Sequence, residues 1–321
     1  MFAHKSCGFD VAPLPQSGTA CRAEARRYKK ANRVMPIKRI GIISKPKKAE
    51  IREIVPPLIA WLRERQIELF LDKETGAILD SPEKSVPRNE MAAQVDLLIV
   101  LGGDGTLLAT ARALNRRAVP ILAVNLGGLG FLTVISREEL YATLEQVLAG
   151  HARVERRVQI EGELVRADEI ISSFLALNDV VLNKGAIARI IDFDVLVDGK
   201  FISTYKADGL IVSTPTGSTA YSLAAGGPIV APSVAAFLVT PICAHTLTNR
   251  PLVLPDTAQI EIAVKSQREA AYLTVDGQVG LAAHSDDSVR LRKAPSYVEI
   301  IQPPSRNYFE ILTQKLKWGE R

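Results

Sequence analysis

The chain has 321 residues, 47% hydrophobic and 23% charged, enough to fold around an ample core and to form about two domains at ~100–200 residues each. No stretch approaches the ~20 uninterrupted apolar residues of a membrane helix, so a membrane is not expected as a partner. The formal charge of +5 resides in residues 1–34, where seven basic side chains stand against two acidic ones; residues 35–321 sum to zero. That balance excludes a whole-domain basic surface for nucleic acid. Cys7, Cys21 and Cys243 make no disulfide framework, and His4, His151, His245 and His284 are scattered without metal-ligand spacing. This cysteine usage agrees with a reducing compartment.

Residues 1–34 lack periodicity and the apolar h-region of a secretory signal. They are expected to be a disordered extension, or the result of a start placed too early, with Met35 as the first residue. From Met35 to Gly150 strand and helix patterns alternate. Ile40 to Ser44 reads as a first strand. Ile51, Ile54, Val55, Leu58, Ile59 and Leu62 then recur at helical spacing, with Pro56-Pro57 predicting a kink or two short helices. Ile67 to Leu71 is a second strand and Thr75 to Glu90 a polar loop. Val95 to Leu101 and Val119 to Val124 are the third and fourth strands, and a helix over Arg137 to Ala149 closes this half. The alternation predicts a Rossmann-like parallel sheet covered by helices, an α/β domain over 35–150. Beyond Gly150 the pattern changes to short strands with Asp-Gly and Pro-rich turns, as in Val158 to Val165 and in Phe193 to Phe201 around Asp198-Gly199. An all-β domain of β-sandwich type is expected over 151–303, with 304–321 as a C-terminal tail.

The segment Leu101-Gly102-Gly103-Asp104-Gly105-Thr106-Leu107-Leu108 joins the third strand to a helix expected over Leu107 to Asn115. Glycines there let main chain approach an anion, and the helix start offers N–H groups and a favourable dipole. A phosphate would repel Asp104, so its carboxylate suits a magnesium ion or a hydroxyl that must lose a proton; the plainer alternative is an Asp that caps the helix. Asn125 to Leu132 follows the fourth strand with three glycines, as a ligand-approaching turn or simply a tight one. Its spacing does not make the GxGxxG fingerprint of a dehydrogenase. Asn178-Asp179 stands inside an apolar run, Phe174 to Leu182, read as one strand, so that one of the two side chains faces a site, or else as a pair at a strand end or bulge. Asp208-Gly209 leads to Thr214-Pro215-Thr216-Gly217-Ser218-Thr219-Ala220-Tyr221-Ser222-Leu223-Ala224-Ala225-Gly226-Gly227-Pro228, where five hydroxyls would serve a ribose or phosphate and one aromatic a base.

Together, GGDGTLL, the Asn-Asp pair and TPTGSTAYSLAAGGP resemble the NAD kinase family, in order and spacing, over Ile37 to Phe309. GGDGT is shared with diacylglycerol and sphingosine kinases and with phosphofructokinases; the long hydroxyl-rich run is specific. The resemblance implies transfer of a terminal phosphate from ATP, or from polyphosphate in some members, to the 2′-hydroxyl of the adenosine ribose of NAD, giving NADP, with a divalent metal, normally Mg2+. It implies Asp104 as proton acceptor and Gly105 as a main-chain contact to the dinucleotide. Asn178 and Asp179 would hold NAD, with Arg189 and Asp208 lining the same cleft. Thr219, Ala220, Tyr221, Ser222, Leu223 and Ala224 would surround the adenosine, and Gln278 of Val275-Asp276-Gly277-Gln278 would complete the site. Asp179 stands where relatives often carry glutamate. Lys206 occupies a position where a bulky or charged side chain accompanies ATP preference. The family implies cytoplasmic homo-oligomers, dimers or tetramers, with the β domain in the contact, and a C-terminal segment that returns to the first domain, with a role for Tyr308 to Trp318. Two other functions are alternatives to this resemblance: a lipid kinase of the diacylglycerol type, against which the hydroxyl-rich run argues, and a dinucleotide sensor without catalysis.

Overall fold

The computed structural model describes residues 37–45, 49–185, 191–246, 248–265, 271–303 and 306–319. The N-terminal half begins β1 (Arg39–Ser44), α1 (Glu50–Glu64), β2 (Glu68–Asp72), α2 (Lys73–Leu79), β3 (Lys84–Val86) and α3 (Arg88–Met91). It continues with β4 (Leu97–Leu101), α4 (Asp104–Ala113), β5 (Ile121–Val124) and α5 (Leu140–Leu148). The five strands are parallel in the order β3-β2-β1-β4-β5. β4 is LLIVL, buried at every position, as a strand covered by helices on both faces requires. One face packs Ile42, Leu101 and Val124 under α1 and α5; the other packs Val100, Ile121 and Ala123 under α3 and α4.

Two expectations for this half are corrected. Helix α1 runs unbroken through Pro56 and Pro57. Both prolines lie on the exposed face, where water can reach the carbonyls they leave unbonded, while the buried stripe Ile51, Ile54, Val55, Leu58, Ile59 and Leu62 holds the helix to the sheet. The polar segment 75–90 is not a plain loop. Asp72 caps α2 by accepting from the Thr75 N–H at 3.1 Å, and β3 then pairs in parallel with β2.

The second half contains β6 (Arg153–Arg166), β7 (Glu169–Ala176), β8 (Asp179–Lys184), β9 (Ile191–Val197), β10 (Lys200–Ala207) and β11 (Gly209–Ser213). A short 3-10 turn (Gly217–Thr219) and α6 (Tyr221–Ala224) follow. Then come β12 (Ala236–Ile242), β13 (Leu252–Pro255), β14 (Ile260–Lys265), β15 (Ala271–Val275), β16 (Val279–Ala283), β17 (Ser288–Gln302) and α7 (Tyr308–Leu316). One antiparallel sheet runs β13-β12-β11-β8-β15-β16. The facing sheet runs β10-β9-β14-β17, with β6 and β7 on the other side of β17. Phe193 and Val195 from one sheet meet Leu182, Val212, Phe237 and Leu273 from the other, a sandwich core set by alternation as in β9. Asp198 and Gly199, both at positive φ, close the β9–β10 hairpin.

β17 is shared by the halves. It pairs antiparallel with β6 and β14, then meets β5 in parallel at Ile300↔Ile121, so the parallel sheet and one leaf of the sandwich form a single 11-stranded sheet. A boundary at residue 150 is therefore crossed by continuous hydrogen bonding. Asn307 opens α7 with a capping box to Glu310, and the helix inserts Ile311 into the core that holds Ile42 and Leu101. Among the described residues no helix is long and apolar enough to cross a membrane.

Candidate active site

The turn after β4 starts α4 at Asp104, with Gly103 in extended conformation before it. Asp104 does not cap the helix. Its carboxylate crosses to the glycine-rich loop after β5. Oδ1 accepts the N–H groups of Leu132 (3.1 Å) and Thr133 (2.9 Å) and the Thr133 hydroxyl (2.9 Å), and Oδ2 accepts the Phe131 N–H (2.9 Å). Gly130 makes the approach possible: a Cβ there would run into Asp104 Oδ1 and lie 2.8 Å from its Cγ. Asn125 secures the same loop, donating to Gly128 O (2.7 Å) and Thr133 Oγ1 (2.9 Å) and accepting from Gly127 N–H (2.7 Å). From outside, Arg306 donates to Val134 O and Lys315 to Leu129 O, each at 2.8 Å. Asp104 remains half-buried and Gly105 exposed. Among the described residues Oδ2 has one donor, so the carboxylate keeps an acceptor position there.

Asn178 and Asp179 do not lie within one strand. β7 stops at Ala176 and β8 starts at Asp179, because the intervening main chain turns to meet one side chain, Asp276. Its carboxylate accepts the N–H groups of Leu177 (3.2 Å), Asn178 (2.7 Å) and Asp179 (3.3 Å). Asn178 O accepts from the Thr214 N–H at 2.9 Å, and Gly217 packs against that carbonyl so closely that a Cβ would overlap it. The Asn178 side chain is half-buried and, among the described residues, its amide has no hydrogen-bond partner, so it is available to a ligand. Asp179 is only 4% exposed. Burial, and secondly the charge of Asp276, push its carboxyl up to about 7, against the Tyr221 N–H that favours the anion. Asp276 is also raised, by burial, while the amides of 177–179 and Arg112 oppose the shift.

The hydroxyl-rich run is used differently from the expectation that it supplies donors to a ribose or phosphate. Thr214 Oγ1 bonds Leu177 O (2.6 Å), Ser218 Oγ bonds Pro215 O (2.7 Å) and Val230 O (3.1 Å), and Ser222 Oγ pairs with Thr240 Oγ1 (3.0 Å). All three hydroxyls are buried and hold the loop in place, against Leu177, Pro215 and Thr240. Ser222 therefore does not offer its side chain to the cleft. Thr219, Ala220, Leu223 and Ala224 are partly or fully open, and Tyr221 is 44% exposed.

Gln278 joins the two turns: its Nε2 donates to Gly105 O at 2.8 Å and its Oε1 accepts from Arg112 of α4 at 2.6 Å, while Arg112 also reaches Asp276 at 3.5 Å. The structure thus brings together Asp104, Gly105, Asn178, Asp179, Tyr221 and Gln278. Lys206 and Asp208 do not join them. Asp208 pairs with Lys184 (2.8 Å) and Lys206 with Asp192 (3.7 Å). Lys184 and Asp179 are opposite ends of β8, five residues or about 17 Å apart at the usual strand rise. Arg189 lies outside the described residues. A cleft of about 290 Å³ beside the Asn125–Leu129 loop is lined by Glu50, Asn125, Gly127, Arg137 and Arg306, and by none of the residues expected at the site.

Among the described residues no three His, Cys, Asp or Glu side chains gather as a metal site. Asp104 is the carboxylate at its turn, and most of its acceptor capacity goes to the 131–133 loop. These residues do not fit a resident cation.

Residues 40–152 match the ATP-NAD kinase N-terminal domain, and residues 177–303 the ATP-NAD kinase C-terminal domain. An NAD kinase of Solibacter usitatus (strain Ellin6076) is 52% identical over 288 residues, 89% of this chain and 100% of the relative. The chain belongs to the NAD kinase family. Among solved structures, yeast NADH kinase complexed with NADH superimposes with a TM-score of 0.83 at 29% identity over 89% of both chains. An NAD kinase from Archaeoglobus fulgidus in complex with ATP gives 0.70 at 26% identity, over 87% of this chain and 98% of the other. The activity is ATP-dependent phosphorylation of NAD to NADP, a kinase reaction.

Asp276, Arg112 and Thr133 bear on the site without being marked in the sequence. Asp276 looks like the first residue of an ordinary Asp-Gly hairpin turn, and Arg112 like one more charge on a helix face. Thr133 carries no local signal, because its role appears only when two loops distant in sequence meet.

Proposed function

We propose that Asp104 accepts the proton of the adenosine-ribose 2′-hydroxyl of NAD as that oxygen bonds the terminal phosphorus of ATP and ADP leaves. The observation that carries this reading is the accounting at Asp104: four donors fix the carboxylate in place, while Oδ2 keeps an acceptor position at a half-exposed turn. The N–H groups at the start of α4 suit the charge carried by the transferring phosphoryl group. Gly105 contributes main chain, the Asn178 amide and the Asp179 carboxylate receive the dinucleotide, and Gln278 closes the site. Tyr221 and the main chain of 219–224 surround the adenosine, with the Ser222 hydroxyl serving the loop. Magnesium enters as the counter-ion of the donor phosphates, as part of the substrate, since it is usually held by one or two carboxylates, phosphates and water.

A cytoplasmic homo-oligomer is part of the proposal. Edge strands β7, β10, β13 and β16 carry exposed Ile170, Phe201, Ile202, Val253 and Val279, a surface suited to a second copy. Such an assembly accommodates Lys206 and Asp208, which lie away from Asp104 within one chain: the 184–208 corner of one protomer would complete the site of another.

NADP formation by the purified protein with magnesium, comparing ATP with polyphosphate, tests the reading. NADP with ATP and little with polyphosphate is expected from Lys206. Equal rates with both donors discard the role of Lys206, and no NADP with either, from folded protein that binds NAD, discards catalysis in favour of a sensor.

A further inference from the structure

Asp276 has an arrangement that its position in a hairpin does not explain. It starts the β15–β16 turn at φ +50, with Gly277 following at +62. Asn fits such a turn as well as Asp does, so the turn does not require a carboxylate. The three N–H groups of 177–179 do, since a buried carboxylate is tolerated when charge-assisted hydrogen bonds surround it. The exchange is reciprocal: the Asp276 N–H donates to Asp179 O at 2.9 Å.

We propose that Asp276 is a positioning residue for the NAD kinase reaction. Its carboxylate builds the turn that presents Asn178 and Asp179 to NAD and, with Gln278 and Arg112, fixes that turn against the helix that begins at Asp104. The proposal rests on Asn178 and Asp179 as NAD-binding residues. The three-residue hairpin connection Asp276-Gly277-Gln278 then touches both sides of the site, through Asp276 on 177–179 and through Gln278 on Gly105 O. Asp276 touches neither the transferred phosphoryl group nor the hydroxyl; it acts through the residues it orients.

The charges around Asp179 provide a readout that loss of structure alone does not move. Asp179 faces Asp276 from the β15–β16 turn and the Tyr221 N–H from α6; Arg112 of α4 reaches Asp276. With a carboxyl held near 7, the ionised form of Asp179 is lost below that pH, and with it an acceptor for a ribose hydroxyl. Neutralising Asp276 removes one of the two causes that raise Asp179, so the acid limb of kcat/KM for NAD moves to lower pH.

Steady-state kinetics of wild type and Asp276→Asn over pH 5.5–8.5 test this. In the variant KM for NAD rises about 10- to 100-fold, the scale of lost charge-assisted hydrogen bonds, with a smaller change in kcat and the acid limb displaced downward. A folded variant whose KM and limb match wild type overturns the proposal, and so does a fall in kcat/KM with the limb unmoved. Should the variant not fold, Arg112→Met serves: it withdraws the cation from Asp276 and the donor from Gln278, and an unchanged KM for NAD overturns the proposal. Wild type that makes no NADP contradicts the functional reading itself. Wild type that makes NADP beside an unaltered variant contradicts the role of Asp276 alone.

Discussion

Two turns, joined by Gln278, are each organised by one aspartate that accepts three consecutive main-chain N–H groups: Asp104 takes 131–133, and Asp276 takes 177–179. The surroundings differ. Asp104 is half-buried and keeps an acceptor position; Asp276 is buried and stands beside a second carboxylate. The same local device therefore yields a group able to meet a substrate hydroxyl in one turn and a scaffold in the other. Access to solvent, not hydrogen-bond count, separates the two roles.

The contrast can be broken most severely at Asp104. Asp104→Asn lowers kcat by about 10²–10⁴, the range of a general base. It also lowers Tm, since the new NH2 group confronts the donors of 131–133; steady-state rates and a melting curve read both. Gly130→Ala displaces the carboxylate without removing it, and its kcat falls about 10- to 100-fold while NAD affinity, followed by titration calorimetry, is kept. On the other turn, Gly217→Ala drives a methyl into the Asn178 main chain, which cannot yield as a side chain could. A loss of about 1–3 kcal/mol in denaturant unfolding is expected there, with weaker NAD binding.

Asp208 tests whether the second cluster works across protomers. Asp104→Asn and Asp208→Asn, denatured and refolded together in equal amounts, regain about a quarter of wild-type activity if each site of a two-fold dimer draws on both chains. Recovery no greater than the sum of the separate variants contradicts that assembly. The smallest effect concerns Asp179. Its folded value near 7 lies above the ordinary ~3.9, so its stabilising contribution is complete below about pH 4 and is lost as pH rises through 7. Asp179→Asn therefore raises Tm by about 3 °C or more at pH 8 and little at pH 4.

Periodicity and glycine placement made much of this legible in the sequence. Parallel β1, β4 and β5 read out as apolar runs, and GGDGT marks a strand-to-helix turn. What stayed hidden was side-chain chemistry that depends on distant contacts. Asp198-Gly199 and Asp276-Gly277 are alike as dipeptides and both turn hairpins at positive φ. Asp198 accepts the Gln259 N–H at the surface, whereas Asp276 organises a site turn 97 to 99 residues away. Likewise the hydroxyls of 214–222 suggested ligand donors by density alone, yet Thr214 ties the loop to Leu177, Ser218 to its own Pro215 and Ser222 to Thr240 of β12. The prolines of α1 misled for a related reason: their cost depends on which face meets water.

The most direct test of proton acceptance by Asp104 is the single-turnover rate of NADP formation by Asp104→Asn. The variant is held below its melting temperature and saturated with NAD and the magnesium–ATP complex, which separates lost chemistry from a loosened loop. A rate about 10²–10⁴-fold below wild type, with NAD still bound, is predicted. A rate within a few-fold of wild type contradicts the account and leaves Asp104 as a structural residue of the 131–133 loop.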